Sequence, residues 1–203
     1  MPTSQRVRPA RRRPPSESRQ TQRLKTRARL FDAALNEIAQ HGLAAADVTA
    51  IATAAGVVRG TFYFHFPTKE HVLVELERTE ETRIVADLKQ RDEDLTKTLT
   101  RLVEHALEAE RRLGAVVFRD MLGLHFMSSR PVDDELTEHP LAGFLMRLIA
   151  DAQRRGHVQP DADPAELATF FLTGFFALLA TGANDPRLLK HYVITIVKGM
   201  EKR

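Results

Sequence analysis

Apolar residues recur at a spacing near 3.6 from about Thr21, placing Leu30, Ala33, Ala34, Ile38 and Ala39 on one face, and the pattern stops at Gly42. This spacing predicts a first helix. Thr49 is placed to cap a short second helix over residues 50–55, with Gly56 ending it in the left-handed conformation. Residues 59–66 then read as a short third helix closed by Pro67, and Thr68 as the N-cap of a long fourth helix through Leu73, Leu76 and Ile84 to about Gln90. Beyond Asp94 only helical patterns occur, over about 95–112, 114–128, 135–155, 164–182 and 186–201. The breaks fall at Gly114, at residues 128–131, at residues 156–164 and at Asn184-Asp185-Pro186. The expected fold is all-α with about nine helices, no strand and no internal repeat.

One stretch, residues 167–184, carries no charge and reaches the lower length limit of a membrane span. Acids at Asp163, Glu166 and Asp185, the polar Thr169, Thr173 and Thr181, and the absence of flanking cationic anchors argue instead for a helix buried on two sides. No membrane association is expected. Composition agrees: 43% hydrophobic and 28% charged residues are the balance of a soluble globular chain. With no cysteine, disulfide frameworks and thiolate chemistry are excluded, and a reducing cytoplasmic setting fits.

Charge changes the picture at one end. The formal net charge is +3, yet residues 1–29 hold ten Lys/Arg against the single acid Glu17, so that end carries +9 and the remainder −6. A basic end on an acidic body points to nucleic acid. Residues 1–20, with Pro2, Pro9, Pro14, Pro15 and Arg11-Arg12-Arg13, read as a disordered arm that either contacts DNA or only solubilises the chain.

Residues 51–66 meet each need of a helix-turn-helix. Ile51 and Ala55 point inward from the supporting helix, the small Ala52 permits close approach, Gly56 makes the turn and Val57 plugs it. Phe62 and Phe66, four residues apart, share the buried face and leave Arg59, Gly60, Thr61, Tyr63, Phe64 and His65 facing outward. Thr49, at the start of the supporting helix, is placed to reach a phosphate.

At Ile51-Ala52, Ala55-Gly56-Val57, Gly60-Thr61-Phe62-Tyr63, His65-Phe66 and Lys69-Glu70 the chain resembles the TetR family of transcriptional regulators, over roughly residues 29–76. After the arm at 1–20, the resemblance implies a three-helix DNA-binding domain at 21–70 and a helical ligand-binding and dimerisation domain at 71–203. It implies a homodimer that binds a double-stranded DNA operator and answers to a small-molecule effector, most simply as a repressor, with no cofactor. It puts Arg59 and Thr61 at base edges, and Tyr63, His65 and Lys69 at phosphates. Val58 departs from the Ser or Thr common there, so the recognition helix either frays when free or has its N–H groups met by a DNA phosphate.

In the body, Phe118, Met121, Leu122 and His125 recur at i, i+3, i+4 and i+7, with further bulk from Phe144, Leu148, Phe171 and Phe175. Ordinary core packing accounts for such residues, and the resemblance makes them candidates for lining an effector cavity. Phe170, Gly174, Leu178, Leu189, Tyr192, Val193, Ile196 and Met200 on the last two helices are the expected dimer interface. The scattered histidines show no metal-ligand spacing, so no metal is expected. Two other readings remain, an all-helical enzyme and an architectural DNA-binding protein. The first lacks a nucleophile elbow, phosphate loop or zinc motif, and the second would have no ligand-sized pocket.

Overall fold

A computed structural model describes residues 17–90, 94–131 and 139–201. Nine α-helices occur among the described residues: α1 (Glu17–Ala45), α2 (Val48–Ala54), α3 (Arg59–His65), α4 (Glu70–Leu88), α5 (Leu95–Leu113), α6 (Ala115–Gly123), α7 (Pro140–Arg154), α8 (Pro164–Ala180) and α9 (Pro186–Met200). The architecture is all-α, as the hydrophobic periodicity requires. Among those residues no helix is long and apolar enough to cross a membrane.

Boundaries differ from expectation where capping chemistry decides them. α1 begins at Glu17, so Arg19 and Gln20 are helical; residues 17–29 contain neither proline nor glycine to resist it. The arm at residues 1–16 lies outside the described residues, as does the expected start of α7 near residue 135. α1 breaks at Gly42 (φ 77°), and the Leu43 N–H released there is taken by Asp120 Oδ2 on α6 at 2.6 Å. α2 is capped by Asp47, whose carboxylate accepts from Thr49 N at 2.8 Å, not by Thr49. Thr68 does not cap α4 either, since its hydroxyl sits 3.0 Å from His71 Nδ1. α6 stops at Gly123 and tightens into a 3-10 turn at Leu124–Phe126.

Buried side chains form two clusters. Leu30, Ala34, Val48, Ile51, Ala55, Phe62, Phe66 and Val72 make the core of the N-terminal head. The larger one runs through α4 to α9 and takes in Ile38 and Leu43 of α1 and Ala46 just after it. Phe31 and Leu35 pack against both, so α1 is the shared wall of head and body.

Candidate functional site

The turn between α2 and α3 is closed by Gly56 N–H to Thr53 O and Val57 N–H to Ala52 O, both at 3.0 Å. This pair of bonds needs a left-handed residue, which Gly56 supplies at φ 68°. Val57 packs against the head core as a plug. Phe62 and Phe66 are fully buried with ring centroids 5.7 Å apart, and Phe31 stacks on Phe66 at 6.3 Å. These contacts fix α3 by one side only.

The opposite side is open. Thr49, Arg59, Gly60, Tyr63 and Phe64 are exposed, and Thr61 and His65 are half-buried. Arg59 lies along Tyr63, its guanidinium donating to the phenol oxygen at 3.3 Å. Arg23 sits over the Phe64 ring at 5.0 Å, and Arg27, paired with Glu75, over Phe66 at 4.4 Å. Burial, with Arg23 and Arg27 nearby, pushes the His65 imidazole below its usual range, which favours its neutral form. Val58, 74% exposed, begins α3 with no side-chain cap.

The Lys69 ammonium, expected at a phosphate, is engaged within the chain. It turns back to Ala44 O at 2.8 Å and Ala46 O at 3.3 Å, meeting carbonyls where α1 ends. In this conformation it is a strut between α1 and α4.

The body holds a cavity of about 40 Å3 between α4, α5, α6, α7 and α8. Of the residues proposed for an effector cavity, Phe118, Met121, Leu122 and Phe175 line it. Phe171 is buried beside Phe175 but does not line it, and Phe144 and Leu148 lie at a separate groove with Leu88 and Leu95. His125 also stands off the lining, packed on Phe176 at 4.8 Å.

The lining includes three glutamates that the sequence reading passed over: Glu77, Glu80 and Glu81. Glu80 pairs with Arg112 of α5 at 2.9 Å and with Arg83 at 3.2 Å. Arg130 NH1 lies 2.6 Å from His125 Nδ1, and a guanidinium only donates, so Nδ1 accepts and the proton is on Nε2. His125 Nε2 then donates to Glu77 Oε1 at 2.6 Å. Burial pushes the Glu77 carboxyl up, against the pull of His125. Glu81 accepts from Leu141 N at 3.2 Å and meets His139 Nδ1 at 3.2 Å. The polar signal was available: positions 73, 77, 80, 81 and 84 fall on one face of α4, and acids on an apolar face are unusual.

The expected interface divides in two. Leu189, Val193 and Met200 are buried in the chain's own core, because α9 packs that side on α5. Phe170, 65% exposed, faces outward, and Leu178, Tyr192 and Ile196 are half-buried. Gly174 serves an internal contact: a Cβ there would come within 2.5 Å of Tyr192 Oη, which donates to Phe171 O at 2.7 Å.

A three-helix head with a firmly backed, solvent-facing α3, set on a larger helical body, is the arrangement of a helix-turn-helix DNA-binding regulator. Residues 30–76 match the family described as bacterial regulatory proteins, tetR family. Over those residues the chain is similar to that family, and the curated proteins it matches over most of its length are HTH-type transcriptional regulators. It is 22% identical to the HTH-type transcriptional regulator UidR of Escherichia coli (strain K12) over 170 residues, 81% of this chain and 85% of that protein. The probable acrEF/envCD operon repressor of the same strain is 42% identical over 53 residues, 26% of this chain and 24% of that one. The fold is similar to that of Thermus thermophilus FadR, a TetR family repressor solved in complex with lauroyl-CoA, with a TM-score of 0.70 and 20% identity. That match covers 87% of this chain and 96% of the other.

Proposed function

We propose that this chain is a cytoplasmic repressor that binds a palindromic operator as a homodimer and is released by a small, largely apolar effector. The observation that carries the reading is α3: one face locked by Phe62 and Phe66, the other offering Arg59, Thr61, Tyr63, Phe64 and His65. Arg59 and Thr61 read base edges, while Thr49, Tyr63 and His65 hold phosphates and set register. The dimer forms through the outward sides of α8 and α9, where Phe170, Leu178, Tyr192 and Ile196 lie.

The cavity supports an effector site in a closed state. Its volume of about 40 Å3 is far below the ~300–1,000 Å3 of a ligand pocket, so an effector must spread its walls. α6 lines the cavity through Phe118 and Met121 and holds the end of α1 through Asp120. Spreading therefore pulls on the head and shifts the two recognition helices out of register. Support for an apolar ligand comes from the similar fold of Thermus thermophilus FadR, solved in complex with lauroyl-CoA.

The test uses operator DNA selected from a random pool and lauroyl-CoA, dodecanoic acid and small phenols as probes. Release of the DNA by one of them, abolished by Phe118→Trp, is expected. Binding that no apolar probe weakens contradicts the effector reading and leaves the DNA reading to its own test.

A further inference from the structure

Glu77 and Glu81 stand one turn apart on α4, and His139, the residue before α7, meets them from another element. One ligand-capable atom from each of the three lies within 4.8 Å of the others. Their side chains are 3%, 5% and 0% exposed. Donors about 2.1 Å from a central ion stand ~3.4 Å apart in a tetrahedral shell, so small side-chain rotations close the set on one cation. His139 Nδ1 and Glu81 Oε1 are already 3.2 Å apart.

The surroundings favour a cation over a bare hydrogen-bonded cluster. Two carboxylates withdrawn from water among Ile84, Leu102, Phe118 and Leu141 are costly unless their charge is met. The nearby His125 presents Nε2 to Glu77 Oε1 and its other ring nitrogen to Arg130, and Glu81 meets His139 and the Leu141 N–H instead. Both acids are also held from behind, Glu77 by His125 Nε2 and Glu81 by the Leu141 N–H. Hydrogen bonds of this kind orient ligating carboxylates. Glu77 and Glu81 border the cavity, which leaves room for water on that side.

We propose that Glu77, Glu81 and His139 bind one divalent transition-metal cation, such as Zn2+ or Mn2+, in the wall of the body cavity. Imidazole with carboxylates suits these ions, and water completes the shell. The site is independent of the DNA-binding reading and stands or falls without DNA or effector.

Untagged protein is stripped with EDTA and dialysed against Zn2+, with Co2+ as a spectroscopic probe of ligation. About one Zn2+ per chain is expected, with Glu81→Gln and His139→Gln each weakening binding roughly tenfold or more. His41→Gln, which removes an exposed imidazole paired with Glu37, leaves it unchanged. Melting of each variant in EDTA reports folding, and the wild-type Co2+ spectrum carries the test where a variant does not fold. The proposal is overturned if the wild-type protein binds no stoichiometric Zn2+ and leaves Co2+ with its hydrated spectrum. It is equally overturned if His41→Gln removes the metal while Glu81→Gln and His139→Gln retain it.

Discussion

Arg59 and Phe62 sit three residues apart on α3 and do opposite jobs, one facing solvent and the other filling the head core. Removing the guanidinium leaves that core intact, so Arg59→Ala should lower affinity for the selected operator by about 1–3 kcal/mol with unchanged melting. Fluorescence anisotropy on operator and unrelated DNA checks this, and equal loss on both would make Arg59 a phosphate contact. Tyr192 gives a second prediction. Burial pushes its phenol from 10.0 up to about 12. A folded-state pKa above the unfolded one gives stability that is full below pH 10 and lost as pH rises towards 12. Ultraviolet titration of a Tyr63→Phe variant isolates this group, and a midpoint near 10 would show that Tyr192 is solvated. At this scale the exposed face of α3 was legible, because a 3.6 period sorts adjacent residues into two faces. The cluster at Glu77, Glu81 and His139 was not: 58 residues separate His139 from Glu81, and only the packing of α7 on α4 unites them.

Helix starts show where local chemistry outweighs pattern. Asp47 and Thr49 are both good caps by type, but a carboxylate two residues upstream reaches the Thr49 N–H and the helix begins one residue after Asp47. Asp47→Ala should therefore cost about 1 kcal/mol in chemical denaturation, and Thr49→Ala only a few tenths. The reverse order would restore Thr49 as the cap. α3 has the opposite deficit, since Val58 makes no side-chain cap bond. Val58→Ser should stabilise the free protein by about 1 kcal/mol, read as a higher melting temperature. No change in melting would mean that the α3 N-terminus is already satisfied. Element existence and type followed from periodicity throughout the described residues, whereas ends depended on which of two neighbouring polar residues won the backbone N–H. The outer helices show the same limit: α9 has two apolar sides, and the sequence pattern alone did not tell the side facing α5, with Leu189 and Val193, from the side left outward.

In the whole molecule, α1 joins two cores, and Asp120 ties its break at Gly42 to α6, which also lines the cavity. Head and body were readable as separate regions because the charge and the motif both concentrate near the N-terminus. The closed cavity was not, because its size depends on how α4, α5, α6, α7 and α8 pack together. If two copies pair through α8 and α9, their recognition helices face half-sites about one DNA turn, 34–36 Å, apart. Selection of bound duplexes from a random DNA pool, followed by sequencing, tests this most directly. The account predicts enrichment of one two-fold symmetric sequence, with half-site centres separated by about 10–10.5 base pairs or a multiple. Enrichment of no sequence, or of an asymmetric one bound by a single chain, would contradict it.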